Sequence, residues 1–309
     1  MGKRSKKGLK KTLLAAAVLA AILLSACILG APMAHAEENE CATKYPVVLV
    51  HGAGFRDSLA GINYWGRIPA YLEERGAAVY YGGTDGWSSV AQGAADLKAT
   101  VEKVLAETGS EKVNIIAHSK GGLDARYMIA SLGLADQVAS LTTISTPHHG
   151  SKVLDTILKV PDEALKAVAV PVNLFCRVIG DKNPDFHRGL LDMSIGYMER
   201  FNEENPDQPG VYYQSFAGEL YAPASDILLC WPAYWIKVED GQNDALVAVE
   251  SAQWANYRGA IRGAGYRGIS HADEVDLRRA DIEIEPLLGA TTVPGLYAAL
   301  VAELGQMGY

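Results

Sequence analysis

The stretch NIIAHSKGG at residues 114–122 sets Ser119 between His118 and Lys120, after an apolar run and before two glycines. A sharp strand-to-helix turn with small flanking residues holds a serine at its apex, with Ala117 in place of the usual first glycine and Gly121 as the second. A hydroxyl attacks an acyl carbon only when a base takes its proton and a carboxylate holds that base in one tautomer. The order serine, acid, histidine directs attention downstream, to His148, His149, His187 and His271. His148 and His149 follow a strand at once and leave no room for an acid loop, and His187 lies in an irregular helical region. His271, in GISHADEVD, is the base by elimination. Asp244, at the start of NDALV, is the candidate acid, with Asp226 its competitor. Acyl transfer also needs two backbone N–H donors for the developing oxyanion. The residue after the nucleophile, Lys120, supplies one, and Ala53 in the HGAG run at 51–54 supplies the other; the Lys120 side chain takes no part.

These residues need a scaffold with alternating elements. YPVVLV (45–50) reads as a strand buried on both faces, IPAYLEERG (68–76) as a helix stopped at Gly76, and AAVYY (77–81) as a short strand. Leu97, Val101, Val104 and Leu105 have helical spacing ahead of a stop at Gly109. VNIIA (113–117) and SLTTIS (140–145) are further strands, with a helix between them from the paired glycines. This alternation predicts an α/β protein with a mostly parallel sheet flanked by helices. It stops after Gly150. Residues 151–200 read as a helical insertion, with ALKAVAVPVNLF as an apolar face that either packs on the core or covers a site. Alternation resumes at VYYQSFAG (211–218); NDALVAVES (243–251) is expected to add a loop and a short strand, and LYAALVAELG a closing helix.

The chain has 309 residues, of which 49% are hydrophobic and 21% charged, enough for one large core. Six basic residues in the first eleven, an apolar run from Leu13 to Leu24, and Ala34-His35-Ala36 before Glu37 form the layout of a cleaved secretory signal, residues 1–36, leaving a domain of residues 37–309. Two alternatives stand beside it: lipidation at Cys27 of LSAC, and an uncleaved anchor. Each places the domain outside the cytoplasm. Removing the leader leaves 22 basic against 36 acidic residues, a formal charge of −14. Such a body offers nucleic acid no electrostatic footprint. Of the remaining cysteines, Cys176 and Cys230 could bridge, leaving Cys41 odd; their spacing fits neither zinc nor a redox motif.

Six ordered segments, YPVVLVHG, GINYWGRIPAYLEERGAAVY, KVNIIAHSKGGLDARY, STPHHGS, NDALV and SHADEVD, together resemble the secreted bacterial triacylglycerol lipases of the Pseudomonas-type family, from about residue 45 to 280. The resemblance implies an α/β-hydrolase fold, Ser119, Asp244 and His271 as triad, and Ala53 and Lys120 as oxyanion hole. It makes 151–200 a lid that opens at a lipid–water interface, over a lipid or ester substrate, with no organic cofactor. A short-chain esterase acting on soluble esters is the rival within the same chemistry, and a non-catalytic hydrolase-fold binding protein the rival outside it. The family also implies a structural Ca²⁺ steadying the histidine loop, for which Asp273 matches one ligand, Asp226 is the nearest acid for the second, and the Leu277 carbonyl is compatible. A calcium-free loop braced by hydrogen bonds is the alternative. Some relatives require a folding chaperone.

Overall fold

The structure is a computed structural model that describes residues 39–309 apart from Ala60; the leader, its cleavage point and Cys27 lie outside the described residues. Six parallel strands form the central sheet: β1 (Val47–Val50), β2 (Val79–Tyr81), β3 (Val113–His118), β4 (Val138–Ile144), β5 (Tyr212–Glu219) and β6 (Asn256–Arg262), in the spatial order 2-1-3-4-5-6. Helices cover both faces, which is why β1, β3 and β4 are buried along their whole length. Each enclosed valine or isoleucine contributes about 1.5–3 kcal/mol.

Two cores lie on opposite faces. One packs Leu49, Ile116 and Phe216 against Trp65 and the C-terminal helix Val293–Gln306; the other packs Val48, Val50 and Ile115 against Leu97, Val101 and Met128. Leu97 and Val101 belong to the helix Val90–Thr108, which starts well ahead of the periodic set because Ser89 caps it by accepting from Gln92 N. Gly109 ends it at φ 68°, as read from the sequence.

Topology fixes where a site can form. The chain leaves β1 for β2 on one side and returns to β3 on the other, so the order reverses between β1 and β3. The crevice outside the carboxyl ends of strands at such a point is the usual ligand site of an open α/β sheet. Residues 51–54 follow β1 there and Ser119 follows β3, while Asp244 and His271 stand in the loops after β5 and β6.

The region after Gly150 is helical, as expected: Lys152–Ile157, Asp162–Val178, Phe186–Leu191 and Ile195–Glu204. Two expectations need correction. Residues 243–251 form a pinned loop with one bridge, Asn243 to Ala248, and no strand. The sixth strand is instead Asn256–Arg262, whose two arginines and glycine mask its pattern; it is an edge strand, and edges tolerate polar side chains. Cys41, Cys176 and Cys230 are all free thiols, because Cys176 turns inward on the helix Asp162–Val178 while Cys230 opens a separate helix, Cys230–Glu239.

Candidate active site

Ser119 sits at φ 55°, ψ −134°, an unfavourable backbone for a residue with a Cβ, and caps the helix Lys120–Ala130. Neighbouring strands hold the strain in place. Ser119 N donates to the Ile144 carbonyl at 2.9 Å, and the Ser119 carbonyl accepts from Thr146 Oγ1 at 2.7 Å. Two glycines let backbones close on the elbow. A Cβ on Gly121 would stand 2.5 Å from the His51 carbonyl oxygen, and one on Gly52 2.6 Å from Ser119 Cβ. A side chain at either position would push the two halves of the crevice apart.

His271 and Asp244 are brought into direct contact. His271 Nδ1 lies 2.7 Å from Asp244 Oδ2, and His271 N donates to the Asp244 carbonyl at 2.8 Å, so both the ring and its backbone are registered on the acid. Asp244 Oδ1 accepts from Leu246 N and Val247 N, each at 2.8 Å. Burial alone would push the Asp244 carboxyl up, but His271 and these N–H donors outweigh it and hold it below its ordinary value. It stays an anion. With Nδ1 committed to Asp244, Nε2 is the free face of the ring. The other candidate, Asp226, pairs with Arg278 at 2.5 Å instead. Among the described residues no hydrogen bond joins Ser119 to His271, a contact that typically tightens only when substrate is present.

Lys120 and Ala53, the residues expected to supply the oxyanion donors, both border the crevice. Lys120 is the first residue of its helix, so its N–H belongs to the donors that no helical carbonyl can satisfy. Ala53 lies in a loop fixed by His51, whose ring nitrogens reach the carbonyls of Gly52 at 2.8 Å and Thr84 at 3.0 Å. The Lys120 side chain makes a structural ion pair. It is buried, and its ammonium grips both oxygens of Asp124 at 2.7 and 2.9 Å within one helical turn. Burial pushes the Asp124 carboxyl up to about 6 against the pull of Lys120.

Three further residues were not singled out in the sequence. Tyr64 Oη accepts from Gly52 N at 3.2 Å and lies 2.6 Å from His118 Nδ1, while His118 Nε2 lies 3.3 Å from Glu274 Oε2. A hydroxyl that accepts from Gly52 is free to donate to Nδ1, which leaves the Nε2 proton directed at Glu274. Burial, then the charges of His271 and His51, hold His118 well below its ordinary value, so it is neutral. Burial and the negative charge of Asp244 push Glu274 well above the ordinary carboxylate range. The His118 and His271 rings stand 4.2 Å apart. A buried polar chain thus runs from Gly52 through Tyr64 and His118 to Glu274, with the His118 ring against that of His271. Only the Ser119 segment gave a local signal; Glu274, three residues past His271, has no pattern of its own.

Around this floor the surface is apolar. A cavity of about 410 Å³ has Ala53, Phe55, Leu228, Leu246, Val275 and His271 on its wall. A second, of about 630 Å³, lies between the helices Lys152–Ile157 and Cys230–Glu239, lined by Val153, Ile157, Trp231 and Trp235. Helix Asp162–Val178 leaves Val170, Leu174, Phe175 and Val178 exposed, and helix Cys230–Glu239 exposes Trp231 (80%) and Tyr234. The insertion at 151–200 is therefore one of two apolar helical elements here; the second, at 226–239, was not expected.

The acids expected to bind calcium are near one another but already occupied. Asp226 Oδ2 pairs with Arg278 and Asp273 Oδ2 with Arg267, so the residues present do not form an oxygen cage.

The model of the palmitoyl protein thioesterase family matches residues 46–194. A triacylglycerol lipase of Burkholderia plantarii is 35% identical over 217 residues, 65% of this chain and 60% of that protein. Triacylglycerol lipase 2 of Saccharomyces cerevisiae is 30% identical over 214 residues, 66% of this chain and 61% of that protein. The chain thus spans about three fifths of the length of these curated relatives. Among solved structures, a metagenomic carboxyl esterase aligns with a TM-score of 0.65 at 19% identity, over 86% of this chain and 76% of that one. That likeness shows the fold.

Proposed function

Because the chain is an α/β-hydrolase related in sequence to triacylglycerol lipases, we propose that it is a serine ester hydrolase whose substrates are long-chain acyl esters at a lipid–water interface, acting outside the cytoplasm after loss of residues 1–36. Ser119 Oγ attacks the ester carbonyl carbon while its proton passes to His271 Nε2. The carbonyl oxygen becomes an oxyanion facing the N–H groups of Lys120 and Ala53. The tetrahedral centre collapses, the C–O bond to the alcohol breaks, and His271 returns the proton to the departing alkoxide. Water then repeats the cycle on the acyl–Ser119 ester, His271 taking its proton, and the fatty acid leaves. Asp244 stabilises the imidazolium formed in each half.

The observation that carries the reading is the 2.7 Å contact between His271 and a buried, ionised Asp244, on the same crevice as a strained Ser119. Acyl chains rather than small acids are favoured by the wall of the adjoining cavity and by the aromatic face of the helix Cys230–Glu239. Contiguous exposed apolar surface of this kind marks an interaction with lipid or protein. At formal charge −14 the attraction to lipid is apolar, not electrostatic.

The test is hydrolysis of a long-chain triglyceride emulsion and of a soluble short-chain ester by protein recovered from the culture medium, beginning at Glu37, beside its S119A variant. We expect rate to rise sharply as substrate passes from dissolved to emulsified, and S119A to lose several orders of magnitude with its fold intact. Cleavage of the soluble ester alone would make the protein an esterase, and an S119A variant of near-full activity would end the reading.

A further inference from the structure

Two segments meet beside the His271–Asp244 pair: the loop at 220–229 that leads into the helix Cys230–Glu239, and the turn 270–277 that carries the histidine. The turn has its own framework. Asp273 N and Glu274 N both donate to the Ser270 carbonyl, at 2.8 and 3.1 Å, and Leu277 N donates to the Ala272 carbonyl at 3.1 Å. Asp273 Oδ2 accepts from Ser270 Oγ at 2.7 Å. What joins the turn to the 220–229 loop is a pair of arginines. Arg267 spans them in one direction: Nη2 donates to Asp273 Oδ2 at 3.0 Å and Nε to the Ser225 carbonyl at 3.1 Å. Arg278 spans them in the other, with Nη2 2.5 Å from Asp226 Oδ2 and Nη1 3.7 Å from Asp273 Oδ1.

We infer that Arg267 and Arg278 together do in this chain the work a calcium ion would do between Asp226 and Asp273, so that the histidine loop is held without a metal. Three features support it. The charge balances: two guanidinium groups face two buried carboxylates, and a divalent cation added among them would meet two like charges already paired with those carboxylates. The ligands do not suffice: Ca²⁺ takes six to eight oxygens, and of the four carboxylate oxygens here only Asp226 Oδ1, which accepts weakly from Leu229 N at 3.3 Å, and Asp273 Oδ1, which has no hydrogen-bond partner among the described residues, are free of an arginine hydrogen bond. The geometry is also what a guanidinium serves well, since its planar fork can reach two acceptors on different segments at once. A lysine, a point charge on a flexible stem, could not span both in the same way.

The brace itself is independent of the proposed ester hydrolysis; only its bearing on His271 rests on that reading. Thermal unfolding of the full chain tests it without any substrate. The melting temperature of the wild type should be the same in millimolar EDTA as in millimolar CaCl2. A wild-type Tm that climbs with Ca²⁺ and falls with chelator would overturn the inference, and this arm needs no variant to fold. Arg278→Met removes the guanidinium while keeping the apolar stem, and leaves Asp226 buried without its partner. We expect the variant to melt several degrees lower and to recover part of the loss in millimolar CaCl2, because both oxygens of Asp226 and Oδ1 of Asp273 are then free of arginine and can share a cation, Arg267 still holding Asp273 Oδ2. A variant as stable as the wild type, or one that Ca²⁺ fails to lift, would also overturn the inference. Arg278→Lys, the gentler change, should show a smaller loss and little response to Ca²⁺, since a cation is retained. If the proposed reaction is wrong but the brace is right, all of these melting results stand and only the hydrolysis assays fail.

Discussion

Ser119 is held by its neighbours in sequence and in the sheet: the strand that ends one residue before it, the helix that begins one residue after it, and the backbones of β1 and β4 on either side. His271 is held by groups gathered from far along the chain. Its partner Asp244 is 27 residues away, its turn is tied to residues 225–226 by two arginines, and Glu274 reaches back 156 residues to His118. The first half of the site is a rigid consequence of local strain and close packing. The second is an assembly of charges, and its weak points are electrostatic. A single substitution should therefore act differently on the two halves, by geometry on the elbow and by charge on the loop.

The largest effect is expected where charge matters most. Asp244→Asn keeps the shape of the acid and both backbone N–H contacts can persist at Oδ1, but the amide cannot fix the His271 tautomer or stabilise the imidazolium. In the template triad this change lowers kcat about 10⁴-fold with geometry intact, and a loss of that order in ester hydrolysis at neutral pH, with near-wild-type Tm, is expected here. An Asp244→Asn protein of ordinary activity would place the acid elsewhere. Gly52→Ala attacks the other half. The new methyl, aimed at Ser119 Cβ at 2.6 Å, must displace the oxyanion loop or the elbow, both backbone-limited. Loss of one oxyanion donor costs about 10²–10³ in kcat, and Gly52→Ala should fall in that range with a lower Tm as well. If activity and Tm were both unchanged, the close packing of loop on elbow would not be what positions the donors.

The same contrast explains what the sequence reveals. The elbow is contiguous, so its strand, small residues, glycines and helix can be read in nine letters, and the oxyanion loop follows from the glycines after β1. The parallel sheet is legible for the same reason, since β1, β3 and β4 are unbroken apolar runs. The histidine half is only partly legible. Asp244 and Asp226 look alike as loop acids, and what separates them is that the protein turns one toward His271 and the other toward Arg278. Carboxylates with ligand spacing carry no mark of whether a metal or a guanidinium sits between them. Glu274, Tyr64 and His118 were invisible because a buried polar chain has no period. The helix Cys230–Glu239 was missed because its aromatic residues face outward, and the amphipathic pattern that betrays a helix assumes the apolar side is the buried one.

The smallest effect sharpens the contrast where the halves meet, at Glu274. This carboxyl lies between His118, on the elbow side, and Asp244, on the loop side, and its pKa in the fold is raised well above its ordinary value by burial first and Asp244 second. A raised pKa means that the folded state binds the proton more tightly than the unfolded state does. The stabilisation is complete below about 4.5 and is lost progressively as pH climbs toward the folded value, at a slope of up to about 1.4 kcal/mol per pH unit for one proton. Glu274→Gln keeps the shape and a neutral group but titrates nothing, so this contribution vanishes from the slope. The wild type should therefore lose Tm relative to the variant between about pH 6.5 and pH 8, with the two curves closest at the acid end. His118, whose folded pKa is depressed chiefly by burial, contributes in the opposite sense, costing stability as pH falls below about 6.5, so the comparison is read above that pH, where His118 is neutral in folded and unfolded states alike. Parallel Tm curves for the two proteins across that range would mean that Glu274 is ionised in the fold, and that two adjacent negative charges, rather than one charge and one neutral acid, stand behind His271.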